Sequence, residues 1–310
     1  PEDAIRDPLW SRGLGDVYKR QTLVTTLSEK TNIITAVNAF YNTKSKFVKN
    51  SSIITLSDIR TNEEVSRVCE ENDLSLFAME FVPRIARAQK LDALSSQASI
   101  AGYRAGLLAA TSLKKYLPLM MTAAGTIPPS SILVLGAGVA GLQAIATAKR
   151  LGADVTGYDI RLAAGEQIES LGAKFISDEV PEDSETSGGY AKEQSKDNQV
   201  SQLEFLKEYI LKSDAVISTA AIPGRKAPIL IEKSTVLGMK AGSVIVDISA
   251  PSGGNCESTI LGESVEINGT IVHGPKNLSS EMAFDASIVY SKNIFAVSYT
   301  HLTLPTNREV

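Results

Sequence analysis

The sequence predicts an α/β protein built on parallel β-sheets with helical crossovers and arranged as two domains. Three observations carry that expectation. Short apolar, β-branched runs alternate with longer charged or periodic stretches, the pattern of strands joined by crossover helices. A glycine-rich turn over residues 136–141 separates one such strand-like run from a helical one. The 310 residues are 43% hydrophobic and 21% charged, which suits a packed core and gives enough chain for one large or two ordinary domains.

Taken in order, residues 32–38 (NIITAVN) and 51–58 (SSIITLSD) read as buried strands, and residues 63–71 as an exposed charged helix. A third strand is expected over residues 74–81 (LSLFAMEF), ended by Val82-Pro83. Residues 95–117 predict a long helix stopping near Pro118, and its small residues Ala98, Ala101, Gly102, Ala105 and Ala109 permit close packing on a neighbour. After Pro128-Pro129 a new unit begins with a strand over residues 131–135 (SILVL), a helix over 140–151 and a strand over 154–159 (DVTGYD). Together they make a βαβ unit of about 30 residues. Residues 182–202 are polar with little apolar content and predict a mobile surface loop. Strands then resume at residues 215–219 (AVIST) and 243–248 (SVIVDI), with residues 271–273 ending the series.

Bulk properties exclude several classes. A net charge of -4 provides no basic excess to neutralise phosphates, so nucleic acid is not an expected partner. Cys69 and Cys256 lie far apart without CxxC spacing, which argues against a disulfide framework or a zinc site and favours a reducing compartment. No metal site is expected. Apolar stretches are broken by Pro, Ser or Gly well short of the ~20 residues of a spanning helix.

Both ends look foreign to the rest. Residues 6–21 (RDPLWSRGLGDVYKRQ) and 298–310 (SYTHLTLPTNREV) lack the hydrophobic period of a helix or strand. They are similar to translated sequencing-library adaptor tails, and Trp10 and His301 belong to them. On that reading residues 1–21 and 298–310 are artefactual and residues 22–297 are a fragment of the biological chain.

The strongest local signal is Gly136-Ala137-Gly138-Val139-Ala140-Gly141. A GxGxxG string is weak alone, but here a strand precedes it and a helix follows. The first glycine permits the tight turn, the second lets the backbone approach a pyrophosphate, and the third lets helix and strand pack closely. The helix N-terminus then faces the phosphate charge. Asp159 ends the next strand, about twenty residues on, where its carboxylate can accept from ribose hydroxyls. This favours NAD over NADP, whose 2′-phosphate would meet a like charge. Arg161, two residues later, is the countervailing feature, because a nearby arginine can accommodate that phosphate.

Substrate-oxidising dehydrogenases usually need a general acid or base. Outside the tail His273 is the sole histidine, and a structural role is expected for it. No GxSxG, HExxH or phosphate-loop lysine motif is present. A nicotinamide site without an acid–base partner fits direct hydride transfer between two nicotinamides, which requires positioning and little proton chemistry.

Five stretches, in order, carry a family resemblance. They are residues 83–106 (PRIARAQKLDALSSQASIAGYRAG), 134–161 (VLGAGVAGLQAIATAKRLGADVTGYDIR), 188–193 (GGYAKE), 219–228 (TAAIPGRKAP) and 240–257 (KAGSVIVDISAPSGGNCE). The chain resembles the NAD(H)-binding component, domain I of the alpha subunit, of proton-translocating nicotinamide nucleotide transhydrogenases. The resemblance implies two Rossmann-like domains with the cofactor in the cleft between them. Residues 22–95 and 275–297 would form the first domain, lacking the family's N-terminal region, and 96–274 the NAD-binding domain.

It also implies roles. Arg84, Gln89, Asp92 and Ser95 match the loop that holds the nicotinamide carboxamide and ribose. Tyr190 matches the tyrosine of a mobile loop that closes over nucleotide. Ile160 continues the stretch around Asp159 and Arg161, while Ala221, Pro223 and Gly224 would line the adenosine side. Asp247 ends a strand and is expected to cap a turn, without a catalytic role. The implied reaction carries hydride from NADH to NADP⁺ on a separate NADP(H)-binding component, coupled through a membrane component to proton movement. A homodimer is implied, placed in the cytoplasm and peripheral to the inner (plasma) membrane, or in the matrix if eukaryotic. Two alternatives stay open: an alanine dehydrogenase-like oxidoreductase, and a non-catalytic NAD(H)-binding module.

Overall fold

A computed structural model of the chain describes residues 33–37, 47–57, 59, 62–178, 196–221 and 224–302. The expected architecture is present: strands and helices alternate, and the sheets are parallel except at one edge and in one hairpin. The chain divides into two compact units, one of residues up to Leu94 with Ser287 onward, the other Ser95–Ala286.

The first unit carries β1 (Ile33–Val37), β2 (Ser52–Leu56), α1 (Glu63–Glu71) and β3 (Ser75–Ala78). Its three strands pair in parallel in the order β1-β2-β3. In α1, Glu63 and Glu64 occupy the first turn, where negative charge suits the helix dipole, and Val65 and Cys69 turn inward. Burial raises the Cys69 thiol above its ordinary value. Residues 74–81 do not form one strand: β3 ends at Ala78 and Met79–Phe81 is a 3-10 turn. Within that turn Glu80 accepts from the backbone N–H of Ile59 at 2.8 Å, drawing the chain out of the extended conformation. Tyr290 locks the unit from its other segment. Its hydroxyl accepts from Leu56 N at 3.0 Å and donates to Ala36 O at 2.7 Å, and burial pushes its pKa up to about 12.

In the chain order of the second unit come α2 (Ala93–Ser112), β4 (Met120–Thr122), β5 (Gly125–Ile127), β6 (Ser131–Leu135), α3 (Val139–Arg150), β7 (Asp154–Tyr158), α4 (Ala163–Ser170) and β8 (Lys174–Ile176). Then follow α5 (Lys196–Lys212), β9 (Ala215–Ser218), α6 (Lys233–Gly238), β10 (Val244–Asp247), β11 (Ser264–Ile267), β12 (Thr270–His273) and α7 (Ala283–Leu302), whose later part belongs to the first unit. The seven-stranded sheet runs β11-β12-β10-β9-β6-β7-β8, with β11 antiparallel at the edge. Counted from β8, the parallel strands have the doubly wound order, and the connections reverse direction between β6 and β9. Ligands of such sheets bind at the carboxyl ends of the strands at this reversal. β9 and β10 are buried along their whole length, as central parallel strands covered on both faces must be.

Three further expectations are corrected. The helix expected to reach residue 117 ends at Ser112, because Leu113 and Leu117 bury themselves instead and Pro118 packs against Gly152, whose added Cβ would lie 2.5 Å from Pro118 Cβ. The expected loop over 182–202 is helical from Lys196, and its remainder lies outside the described residues. At the other end, α7 continues through Leu302, into the tail expected to lack helical character. His301 stacks near Phe77, ring centroids 5.9 Å apart. The tail at residues 6–21 lies outside the described residues. Among the described residues no helix is long and apolar enough to cross a membrane, and no cluster of His, Cys, Asp and Glu is arranged to hold a metal ion.

Candidate nucleotide site

The glycine turn lies between β6 and α3 at the carboxyl edge of the sheet, and each glycine meets a different constraint. Gly136 has φ +96°, a left-handed conformation that L side chains rarely adopt. Its N–H donates to Tyr158 O at 2.8 Å and its carbonyl accepts from Thr219 Oγ1 at 2.9 Å, so the turn is tied to both neighbouring strands. A Cβ on Gly141 would stand 1.8 Å from Gly136 O, so the helix can start this close to the strand only with glycine there. Around Gly138 nothing lies within 4 Å of an added Cβ. The backbone at the start of α3 is bare on that side, where the unpaired N–H groups of a first helical turn attract an anion.

Small residues bring α2 onto this same turn. A Cβ on Gly102 would sit 2.0 Å from Ala140 O, and Ala105 and Ala109 are fully buried. This is the close neighbour that the alanine- and glycine-rich composition of the helix predicts.

Asp159, one residue beyond β7, is 6% exposed. Its Oδ2 accepts from Ala137 N at 2.7 Å and from Arg161 Nη2 at 2.9 Å. Its Oδ1 accepts from Arg161 N and Nε, each at 2.9 Å. Asp159, Arg161 and the glycine turn therefore form one group. Ile160 is half-buried and packs against the apolar cluster containing Leu133, Leu135 and Tyr158. Val139 is 37% exposed and Ala140 half-buried. Tyr158 fixes α5 against the sheet: its hydroxyl donates to Asp178 Oδ1 and accepts from Gln202 Nε2, both at 2.8 Å. Burial raises the phenol well above its usual range, reinforced by the Asp178 bond.

The far wall of the turn is organised by two residues that sequence reading did not assign to the site. Asp247, fully buried at the end of β10, accepts from Ser218 Oγ (3.0 Å), Ser249 N (3.1 Å), Asn255 N (2.8 Å), Cys256 N (3.1 Å) and Thr259 Oγ1 (2.7 Å). Asn255, also fully buried, accepts from Ala220 N at 3.1 Å and donates to Ala220 O and Pro228 O at 2.8 and 2.7 Å. This pair holds both ends of the 219–228 segment against β10. The signal was present in the SAPSGGN string: Gly253 and Gly254 both take left-handed φ, +101° and +80°, bending the chain so that successive N–H groups converge on Asp247. Cys256 beside it is buried, which pushes its thiol up to about 11.

Ala221 and Gly224 are exposed on that segment, Gly224 with φ +73°; Pro223 lies outside the described residues, as does Tyr190. In the first unit, Arg84 Nε and Asp92 Oδ2 are 3.9 Å apart and Asp92 N donates to Gln89 O at 3.3 Å, around the 3-10 stretch Ala86–Leu91. Gln89 is exposed. Ser95 is half-buried in the first turn of α2 and belongs to the second unit. His273 hydrogen-bonds through both ring nitrogens, to Ser112 Oγ at 2.9 Å and Ser264 Oγ at 2.7 Å. Burial lowers its pKa. Both nitrogens are engaged in packing α2 and β11 onto β12, a structural role.

Residues 105–307 match the family described as alanine dehydrogenase/PNT, C-terminal domain, and residues 21–101 match its N-terminal domain. The chain is 49% identical over 251 residues to an NAD(P) transhydrogenase subunit alpha of Rickettsia prowazekii, covering 81% of this chain and 66% of that relative. It thus spans about two thirds of that relative's length. Among solved structures, the transhydrogenase of Sinorhizobium meliloti superposes with a TM-score of 0.80 at 39% identity, over 92% of this chain and 79% of that one. An L-alanine dehydrogenase superposes with a TM-score of 0.69 at 22% identity, over 87% and 72% of the respective chains, a likeness of fold alone. The chain belongs to the alanine dehydrogenase/PNT family and, within it, to the transhydrogenase alpha subunits.

Proposed function

We propose that this chain binds NAD(H) at the turn Gly136–Gly141 and Asp159 and delivers hydride from NADH to NADP⁺ held by a partner component. The observation that carries the reading is the bare backbone at Gly138 beside a buried carboxylate at the end of the adjacent strand. A pyrophosphate fits the first and a ribose the second. Gly136, Gly138 and Gly141 shape the turn, Val139 and Ala140 supply helix-start N–H groups, and Ile160, Ala221, Pro223 and Gly224 border the adenosine. Arg84, Gln89, Asp92 and Ser95 orient the nicotinamide, with the Arg84–Asp92 pair holding the loop that carries Gln89. Tyr190 closes over the nucleotide. Bound NADH supplies the hydride; the chain supplies binding and orientation, without a general acid or base.

The same reading includes a homodimer, an NADP(H)-binding component, and a membrane component through which transfer is coupled to proton movement. It places the chain at the cytoplasmic or matrix face of that membrane. Support comes from the transhydrogenase names of its relatives and from His273, whose two nitrogens are occupied. The test is parallel titration of NADH and NADPH followed by nicotinamide fluorescence. NADH binding in preference to NADPH is expected; preference for NADPH would overturn the cofactor assignment. Alanine-dependent NAD⁺ reduction would favour the alanine dehydrogenase reading instead.

A further inference from the structure

We infer that the Arg161 guanidinium is an internal stand-in for the adenosine ribose diol, which the nucleotide must displace, and that with Asp159 it sets the preference between NADH and NADPH. This deepens the nucleotide site proposed above and rests on it. An ionised carboxylate offers about four acceptor positions. Asp159 fills them all from within the protein, through Ala137 N, Arg161 N, Arg161 Nε and Arg161 Nη2, at 2.7 to 2.9 Å.

Two of these donors are backbone groups fixed by the glycine turn and by the end of β7. The other two lie on one side chain, 18% exposed, which also reaches over the turn to Ala137 O at 3.4 Å. A guanidinium edge presents two parallel N–H donors, and a ribose diol presents two neighbouring O–H donors. The exchange is two for two, so Asp159 remains satisfied in both states. With the guanidinium in place, the carboxylate has no acceptor position left for a ribose hydroxyl.

The arrangement discriminates against a 2′-phosphate twice. The phosphate brings no donor for Asp159 and adds a like charge beside it. Asp159 also keeps Arg161, a cation suited to bidentate phosphate binding, engaged in a pair. Selectivity for NADH therefore belongs to the pair, and the arginine carries latent NADPH affinity that the aspartate suppresses.

The test titrates NADH and NADPH into the full chain and four variants, with circular dichroism and thermal melts reporting the fold. Arg161→Ala is expected to tighten NADH by up to about tenfold, the equivalent of one net charge-assisted hydrogen bond no longer broken on binding. Arg161→Lys keeps the cation and the stem but loses the fork, and is expected to tighten NADH in the same direction by less. Asp159→Ala should weaken NADH and raise the NADPH/NADH affinity ratio. Combining Asp159→Ala with Arg161→Ala should remove that rise. Weaker NADH binding by folded Arg161→Ala or Arg161→Lys would overturn the inference, because the arginine would then be a direct ligand of NADH. A ratio in Asp159→Ala no higher than in the double variant would also overturn it. A folded wild-type chain that binds neither nucleotide would refute the site itself, a distinct result.

Discussion

A single methyl group added at Gly138 or at Gly141 should have opposite consequences, although the two stand three residues apart in one turn. At Gly141 the new Cβ would lie 1.8 Å from Gly136 O, where real contacts stay above 3.0 Å. Strand and helix must therefore separate by more than an ångström at a point held by Tyr158 O and Thr219 Oγ1. Overpacking of this kind costs about 3 kcal/mol, and at roughly 2–4 °C per kcal/mol for a domain of this size the melting temperature should fall by about 6–12 °C. At Gly138 the methyl meets nothing within 4 Å and the backbone has φ -74°, which alanine adopts freely. Stability should then change by less than about 1 kcal/mol. The methyl would instead occupy the space assigned to the pyrophosphate, lowering NADH affinity about 10- to 100-fold, or roughly 1.4–2.8 kcal/mol. Thermal melts and NADH titrations on the same preparations separate the two effects. Gly138→Ala binding NADH as tightly as wild type would refute the placement of the pyrophosphate. An unchanged melting temperature in Gly141→Ala would refute the packing argument.

Other perturbations follow from single observations. Asp247→Ala strands five donors at a fully buried position and should destabilise the second unit by about 3 kcal/mol; denaturant titration showing less than about 1 kcal/mol would contradict its organising role. Tyr290→Phe leaves Leu56 N and Ala36 O without the hydroxyl that joins them and should cost about 1–3 kcal/mol, read by the same titration. His273 is held below its ordinary value of 6.5 by burial, so the unfolded chain takes up that proton first as pH falls. Its contribution to stability is complete above about pH 6.5 and is lost as pH falls toward the folded value. The melting temperature should drop on acidification from about pH 7 to about pH 5, and drop less in His273→Gln; an equal or larger drop in the variant would contradict the assignment.

The parts of the fold legible in the sequence are those where burial and periodicity agree. Residues 131–135, 154–158, 215–218 and 244–247 are strands whose central members bury every side chain or nearly so, and continuous apolar runs announce them. Elements with mixed exposure are harder to see. The hairpin of β4 and β5 leaves Met121 77% exposed, and β8 and β11 are short edge strands, so neither alternation nor an apolar run marks them. Gln202 is polar and yet buried on α5, where it meets the Tyr158 hydroxyl; its stretch has the composition of a loop because the partner that satisfies it is far away in sequence. The turn Gly136–Gly141 and Asp159 are readable because glycine spacing reports backbone geometry directly. The Arg161 fork and the Asp247–Asn255 anchor depend on side-chain directions that only the folded chain sets.

Everything proposed for this chain converges on hydride transfer, which is tested by mixing it, purified, with an NADP(H)-binding component and following reduction of an NADP⁺ analogue by NADH. Reduction that requires both proteins, and that falls when NADH binding is weakened by Gly138→Ala, is the expected result. Normal NADH binding with no transfer to any NADP(H)-binding partner would contradict the proposal and leave a nucleotide-binding module in its place.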